Sequence, residues 1–187
     1  MSAVSDGGLP PWSTASRTRV AHVERVAATA SGWADAMAVS PRERGRWLRA
    51  VWLHDALRDA DDATLARWAP DASGSRELRH GPASAARAQA EGENDRGVLD
   101  AVRYHSVGFA GWDMVGRVLY CADYLEPGRD HGRERRAELA ARFPGDPAGV
   151  LLEVATDRLA HLIRSRWPLI EPTIGFWNHL VASSAPR

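Results

Sequence analysis

The chain has 187 residues, 44% apolar and 26% charged, which suits one globular unit whose core needs no covalent staple. Its 24 arginines balance 24 acidic residues and there is no lysine, a neutrality that argues against a dedicated nucleic-acid partner. Cys121 is the sole cysteine, so an internal disulfide is excluded, and no apolar run approaches the ~20 residues of a membrane span. The opening MSAVSDGGLPPW lacks a basic segment followed by an apolar one, so the expectation is a cytoplasmic protein with no membrane contact.

Residues 1–15, rich in Gly, Pro and Ser, read as a flexible lead-in, and 16–187 as a single helical domain. Val20, Val23, Ala27, Ala30 and Ala34 recur near a 3.6 period and predict a first helix over about 16–37. Ser40-Pro41-Arg42-Glu43 is a helix start, with Ser as N-cap, Pro in the first turn and Glu at the capping-box position. The helix that follows carries Trp47, Leu48, Val51 and Trp52 into His54-Asp55. Asp61 and Asp62 cap a short helix over 63–68, and Pro70 to Ser75 reads as a loop.

A helix of small residues is expected to begin after His80-Gly81 and to end at Glu91-Gly92. Another, about 95–106, holds Val98, Leu99, Val102 and His105. Gly108 to Gly111 precedes a helix of about 112–125, which Pro127-Gly128 terminates. Asp146-Pro147 starts a long helix to about Trp167, and a last one covers about 172–183. No strand alternation or hairpin signal appears, and no internal repeat, so the fold class is all-α.

His22, His54, Asp55, His80, His105 and Asp123 carry the chemistry. The turns before His54-Asp55 are strongly apolar, which turns that pair inward. Asp123 shares a helix face with Val115, Leu119 and Glu126, a face expected to be buried. A buried carboxylate without a partner is too costly to keep, and a divalent cation makes it favourable. Four imidazoles and two carboxylates form a mixed ligand set suited to Fe, Zn, Ni or Mn, with a carboxylate able to bridge two ions. Two such ions about 3.5–4 Å apart activate a bridging hydroxide and clamp phosphate oxygens. Successive helical residues diverge by about 100°, so His54 would serve one ion while Asp55 reaches between both.

The segments Arg19-Val-Ala-His22, Leu53-His54-Asp55-Ala-Leu-Arg58, His80-Gly81-Pro-Ala-Ser-Ala85, Tyr104-His105-Ser106 and Ala122-Asp123-Tyr-Leu-Glu-Pro-Gly-Arg129 resemble, in order, the motifs of the YqeK-type bacterial HD-domain phosphohydrolases. Pro172-Thr-Ile-Gly-Phe-Trp-Asn178 is similar to that family's closing helix, so the resemblance covers nearly the whole chain. It implies an HD-type helical bundle and symmetrical hydrolysis of diadenosine tetraphosphate to two ADP at a di-iron centre. By motif match it also implies His22, His54, Asp55, His80, His105 and Asp123 as metal ligands.

Three departures stand out: Arg58 where the family usually has Lys, Ser106 where it has Thr, and Val51-Trp52 where it has a small Gly-containing segment. Arg58 can still grip a phosphate, but its permanent charge excludes it as a general acid. Asp55 and Arg58 are thus the catalytic candidates, and Arg58 and Arg129 the substrate-binding ones. Trp112 or Phe109, in the loop after His105, is a candidate for stacking on a base. His131 reads as an inert loop histidine, His161 and His179 as surface or structural, and Cys121 as a small buried hydrophobe. The expected partner is a nucleotide or dinucleoside polyphosphate, and a homodimer is left open. Two other classes remain: an HD-type di-iron oxygenase, and a non-catalytic nucleotide-binding HD module that keeps the ligands without turnover.

Overall fold

The computed structural model describes residues 7–72, 74–129 and 131–184, which form nine helices and no strand among the described residues. Helix α1 spans Arg17–Ala36, α2 Pro41–His54, α3 Asp62–Trp68, α4 Arg76–Ala90 and α5 Arg96–Tyr104. Helix α6 spans Met114–Leu125, α7 Arg133–Arg142, α8 Pro147–Arg164 and α9 Glu171–Ser184. No helix among them is long and apolar enough to cross a membrane.

Short polar side chains set the helix starts. Ser16, Ser40, Asp61, Asp95, Asp113 and Asp146 each accept a hydrogen bond from a first-turn N–H of α1, α2, α3, α5, α6 and α8. Glu43 does not complete a capping box. Its carboxylate accepts instead from Trp47 Nε1 at 3.0 Å and Arg46 Nη1 at 2.9 Å.

The core is continuous across α1, α2, α4, α5 and α6, with Trp47, Leu53, Val102, Val115 and Leu119 buried at its centre. Leu139, Phe143, Val150 and Val154 extend it under α7 and α8. A smaller cluster of Leu57, Leu65 and Ala83 lies beneath α3. Helix α4 lies so close to α5 that a Cβ at Gly81 would sit 2.9 Å from the Arg103 carbonyl oxygen and 3.0 Å from that of Val102. Gly108, at φ +90°, makes the turn after α5, and any side chain there would collide with the Phe176 ring.

Four further expectations change. Of the lead-in, residues 1–6 lie outside the described residues, but 7–15 are held in place, and Ser16 after them. Thr14 N donates to the Ala56 carbonyl at 2.9 Å, Ser16 N to Asp59 Oδ2 at 2.9 Å, and Trp12 packs on both apolar clusters. Helix α4 begins at Arg76, one turn before His80-Gly81, and tolerates Pro82 inside it. Its first turn is tied down by Arg79 on Asp62 at 2.7 Å, a polar contact that apolar periodicity does not announce.

Helix α7 was not expected. Its sequence RERRAELAAR has strong helix formers but one buried residue, Leu139, and it docks where Trp33 stacks on Phe143 at 3.9 Å and donates to the Ala140 carbonyl at 2.8 Å. Trp112 is buried against Tyr120 and Phe176, and Phe109 stacks on Tyr104, so both rings are already occupied by packing.

Candidate metal centre

Five helical segments bring the six side chains to one place, each no more than 8% exposed. His22 lies on α1, His54 ends α2, Asp55 caps it, His80 is on α4, His105 caps α5, and Asp123 is on α6. The apolar faces that build the core therefore aim these groups, since each shares a face with residues that must be buried.

Asp55 is central. Its Oδ1 lies 3.1 Å from His80 Nε2 and 3.6 Å from His105 Nε2, while Oδ2 lies 3.6 Å from His54 Nε2 and 3.8 Å from His22 Nε2. Asp123 Oδ1 is 3.2 Å from His22 Nε2. Two overlapping groups, His22–His54–Asp123 and His54–Asp55–His105, have ligand atoms within 4.8 Å of one another.

The opposite ring nitrogens fix how the imidazoles present themselves. His54 Nδ1 is 2.6 Å from the Val51 carbonyl oxygen and His105 Nδ1 is 2.8 Å from that of Val102. A carbonyl only accepts, so Nδ1 carries the proton and Nε2 turns a lone pair inward. His22 Nδ1 does the same toward Glu126 Oε1 at 3.2 Å. Glu126, 2% exposed, is itself held by Arg25 Nε at 2.6 Å and Gly128 N at 2.7 Å.

The electrostatics match a cation site. Burial pushes the His54 imidazolium down to about 4, which keeps the ring neutral. Burial alone would raise the Asp55 carboxyl, but His54, His105 and His80 beside it hold it well below the usual range. Burial likewise opposes ionisation of Asp123, and His22, Arg129 and Arg158 outweigh it. His22 Nε2 and His54 Nε2 are buried without a hydrogen-bond partner. Inward lone pairs and two buried carboxylates together call for a divalent ion, and the donor set fits one.

Three guanidiniums surround the carboxylates: Arg19 at 2.8 Å from Asp55 Oδ2, Arg129 at 2.7 Å from Asp123 Oδ1, and Arg158 at 3.7 Å from Asp123 Oδ2. Arg58 does not join them; it lies 3.6 Å from Glu77. Arg19, Glu126 and Arg158 had no role in the sequence reading. Arg19 and Glu126 stand three residues from His22 and Asp123, on the same helix faces, and that spacing was a usable signal. Arg158, on α8, gave none.

Buried imidazoles and carboxylates converging within a helical bundle define a divalent-metal-binding helical protein. The HD-domain family profile matches residues 19–128, and the chain belongs to that family. It is 34% identical over 110 residues to the symmetrical bis(5'-nucleosyl)-tetraphosphatase of Bacillus subtilis, the match covering 58% of each chain. It is 26% identical over 106 residues to the protein of that name from Halalkalibacterium halodurans, covering 56% of each. The matches thus span little more than half the length of these relatives. The fold is similar to that of a predicted HD superfamily hydrolase involved in NAD metabolism from Clostridium acetobutylicum, with TM-score 0.75 and 23% identity over 90% of this chain and 91% of that one.

Proposed function

We propose that the protein is a metal-dependent hydrolase of nucleotide phosphoanhydrides that cleaves diadenosine tetraphosphate symmetrically to two ADP. The observation that carries this reading is the Asp55 carboxylate, whose two oxygens face different imidazole pairs, His80–His105 and His54–His22. A carboxylate so placed can bridge two cations. The naming of the relatives as symmetrical tetraphosphatases supports the substrate.

His22, His54, Asp55, His80, His105 and Asp123 would hold two divalent ions, iron first, with Mn, Zn or Ni accommodated by the same donors. When bound, the ions supply an acidified water and draw charge from the phosphate oxygens. The chain's own part is to position and to exclude solvent. Asp55 sets the spacing of the two half-sites, and the Val51, Val102 and Glu126 contacts keep three imidazoles in the ligating tautomer.

Arg129 has an exposed side chain beside Asp123 and is placed to bind phosphate. Arg58 follows Asp55 by one turn, and its 3.6 Å pair with the largely exposed Glu77 is weak enough to be exchanged for a phosphate oxygen. With no lysine in the chain, proton donation to the leaving phosphate falls to solvent rather than to position 58. The free, buried Cys121 is in keeping with a reducing, cytoplasmic setting.

The test is to load the purified chain with Fe(II) or Mn(II) and separate the products of diadenosine tetraphosphate. Two ADP, with no ATP or AMP, is expected. Metal-loaded protein that leaves this substrate intact would refute the reading, and oxygen uptake in its place would point to oxygenase chemistry.

A further inference from the structure

Helix α8 supplies none of the six centre residues, yet one of its side chains reaches them. Arg158 donates through Nη2 to the Ser106 carbonyl at 2.9 Å, and its Nη1 lies 3.7 Å from Asp123 Oδ2. Its guanidinium carbon is 4.7 Å from the centre of the Tyr120 ring, and 24% of the side chain is exposed. A planar cation gripped at one end and backed by an aromatic ring has little freedom to turn.

The two groups it joins belong to different halves of the centre. Ser106 directly follows His105, whose Nε2 lies 3.6 Å from Asp55 Oδ1, and the Ser106 hydroxyl is 3.2 Å from that same nitrogen. Asp123 instead sits with His22, 3.2 Å away through Oδ1. Arg129 also holds that Oδ1, at 2.7 Å, so two arginines divide the carboxylate between them. They are not equivalent. Arg129 is 42% exposed and serves phosphate in the hydrolase reading, whereas Arg158 is tethered. The cavity that Arg158 lines with Ser106, Tyr120 and Phe176 measures about 20 Å³, room for one water and too little for a phosphate. On that side the guanidinium acts on its protein neighbours and not on a ligand.

We propose that Arg158 is a positioning residue of the metal centre: by bridging the Ser106 carbonyl and Asp123 Oδ2 it fixes the end of α5 against α6, and so the placement of His105 relative to Asp123. The inference rests on the metal centre of the hydrolase reading and deepens it. Asp55 spaces the two half-sites from the middle, and Arg158 spaces them from the outer side. Metal retention therefore depends on α8 being docked, although α8 gives no ligand. A guanidinium near a cation has two opposed effects: its charge repels the ion, while its bridge holds the ligands where the ion needs them. Arg158→Lys separates the two, because it keeps the charge and replaces the fork with a single ammonium. Arg158→Met loses both but keeps an apolar stem against Tyr120.

The test measures Mn(II) affinity of the full chain by competition titration, and the visible absorption of its Co(II) form, which reports donor geometry. Both variants stay folded by circular dichroism. Arg158→Lys is expected to raise the Mn(II) Kd about tenfold, the lower end for losing a contact that orients a ligand, and to change the Co(II) bands. Arg158→Met, freed of the repulsion, binds more tightly than Arg158→Lys. Arg164→Lys, exposed on the same helix, changes neither readout. The proposal is overturned if Arg158→Lys stays within twofold of wild type or keeps its Co(II) bands. It is also overturned if Arg158→Met is the weaker binder, since the charge and not the bridge then matters. Wild-type protein that takes up neither ion overturns the metal centre and this role together. The expected Mn(II) and Co(II) changes, with no hydrolysis of diadenosine tetraphosphate by the loaded wild type, instead overturn the hydrolase reading and leave the positioning role standing.

Discussion

Replacing Glu126 separates holding the centre from being part of it. Its carboxylate accepts from His22 Nδ1 at 3.2 Å, Arg25 Nε at 2.6 Å and Gly128 N at 2.7 Å while staying 2% exposed. In Glu126→Ala all three donors lose their acceptor. The Arg25 side chain is 38% exposed and Gly128 is open to solvent, so water takes up those two. The loss concentrates on His22, giving about 3 kcal/mol, the upper end for leaving a buried donor without its acceptor. For a chain of this size that lowers Tm by about 6–12 °C. With its proton no longer held on Nδ1, the His22 ring loses its ligating orientation, and metal affinity falls about 10–100-fold. Glu126→Gln keeps the shape and one acceptor oxygen, so its Tm stays within a few degrees while affinity still falls about tenfold. The assays are a circular-dichroism melt of metal-free protein and a competition titration with Mn(II). If both variants bind Mn(II) within twofold of wild type, Glu126 does not orient His22 and the reasoning fails.

Gly81→Ala forces a Cβ to within 3.0 Å of two α5 carbonyls and should destabilise the chain by about 1–3 kcal/mol, as overpacking does, while parting His80 from His105. An unchanged melt with unchanged metal affinity would show that the helices yield freely. Chelation of a bound ion present at 100 times its Kd removes about 2.7 kcal/mol, so EDTA should lower Tm by about 5–11 °C; no shift means no ion of that affinity. Asp55, Asp123 and Glu126 all titrate below their ordinary range in the folded chain. Their contribution is therefore complete above the unfolded value of about 4 and drains away as pH falls through it toward the folded values. Urea midpoints of metal-free protein should fall steeply below pH 4, and a flat profile would contradict the assignment. Arg58→Ala should raise KM for the dinucleotide without altering the melt; a lost fold would make Arg58 structural.

The six centre residues were legible because their types are few and their helices announce buried faces: Trp47 to Leu53 before His54, and Val115 with Leu119 before Asp123. The same logic missed α7, whose arginines and glutamates carry no apolar period and whose docking depends on Trp33, a hundred residues earlier. It misplaced the start of α4, fixed by arginine contacts to Asp62. It left residues 7–15 loose because the anchors of this stretch and of Ser16, which are Ala56 and Asp59, come from another helix end. Trp112 was offered to a ligand on loop position alone, yet its ring fills space between Tyr120 and Phe176. Arg158 shows the limit most clearly. Its bond to the Ser106 carbonyl at 2.9 Å and its approach to Asp123 arise only when α8 folds back, and no local spacing encodes that.

The order in which the donors occur along the chain matters during synthesis. His22, His54, Asp55, His80 and His105 are all made before Asp123, and Glu126, which steadies the first of them, comes later still. A growing chain therefore displays imidazoles to the surrounding pool of ions well before the carboxylate that completes the set exists. With the proposed ligand set, tight capture would wait for α1 to close against α6, late in translation, so a truncated product ending short of residue 123 should leave the ribosome unable to retain metal.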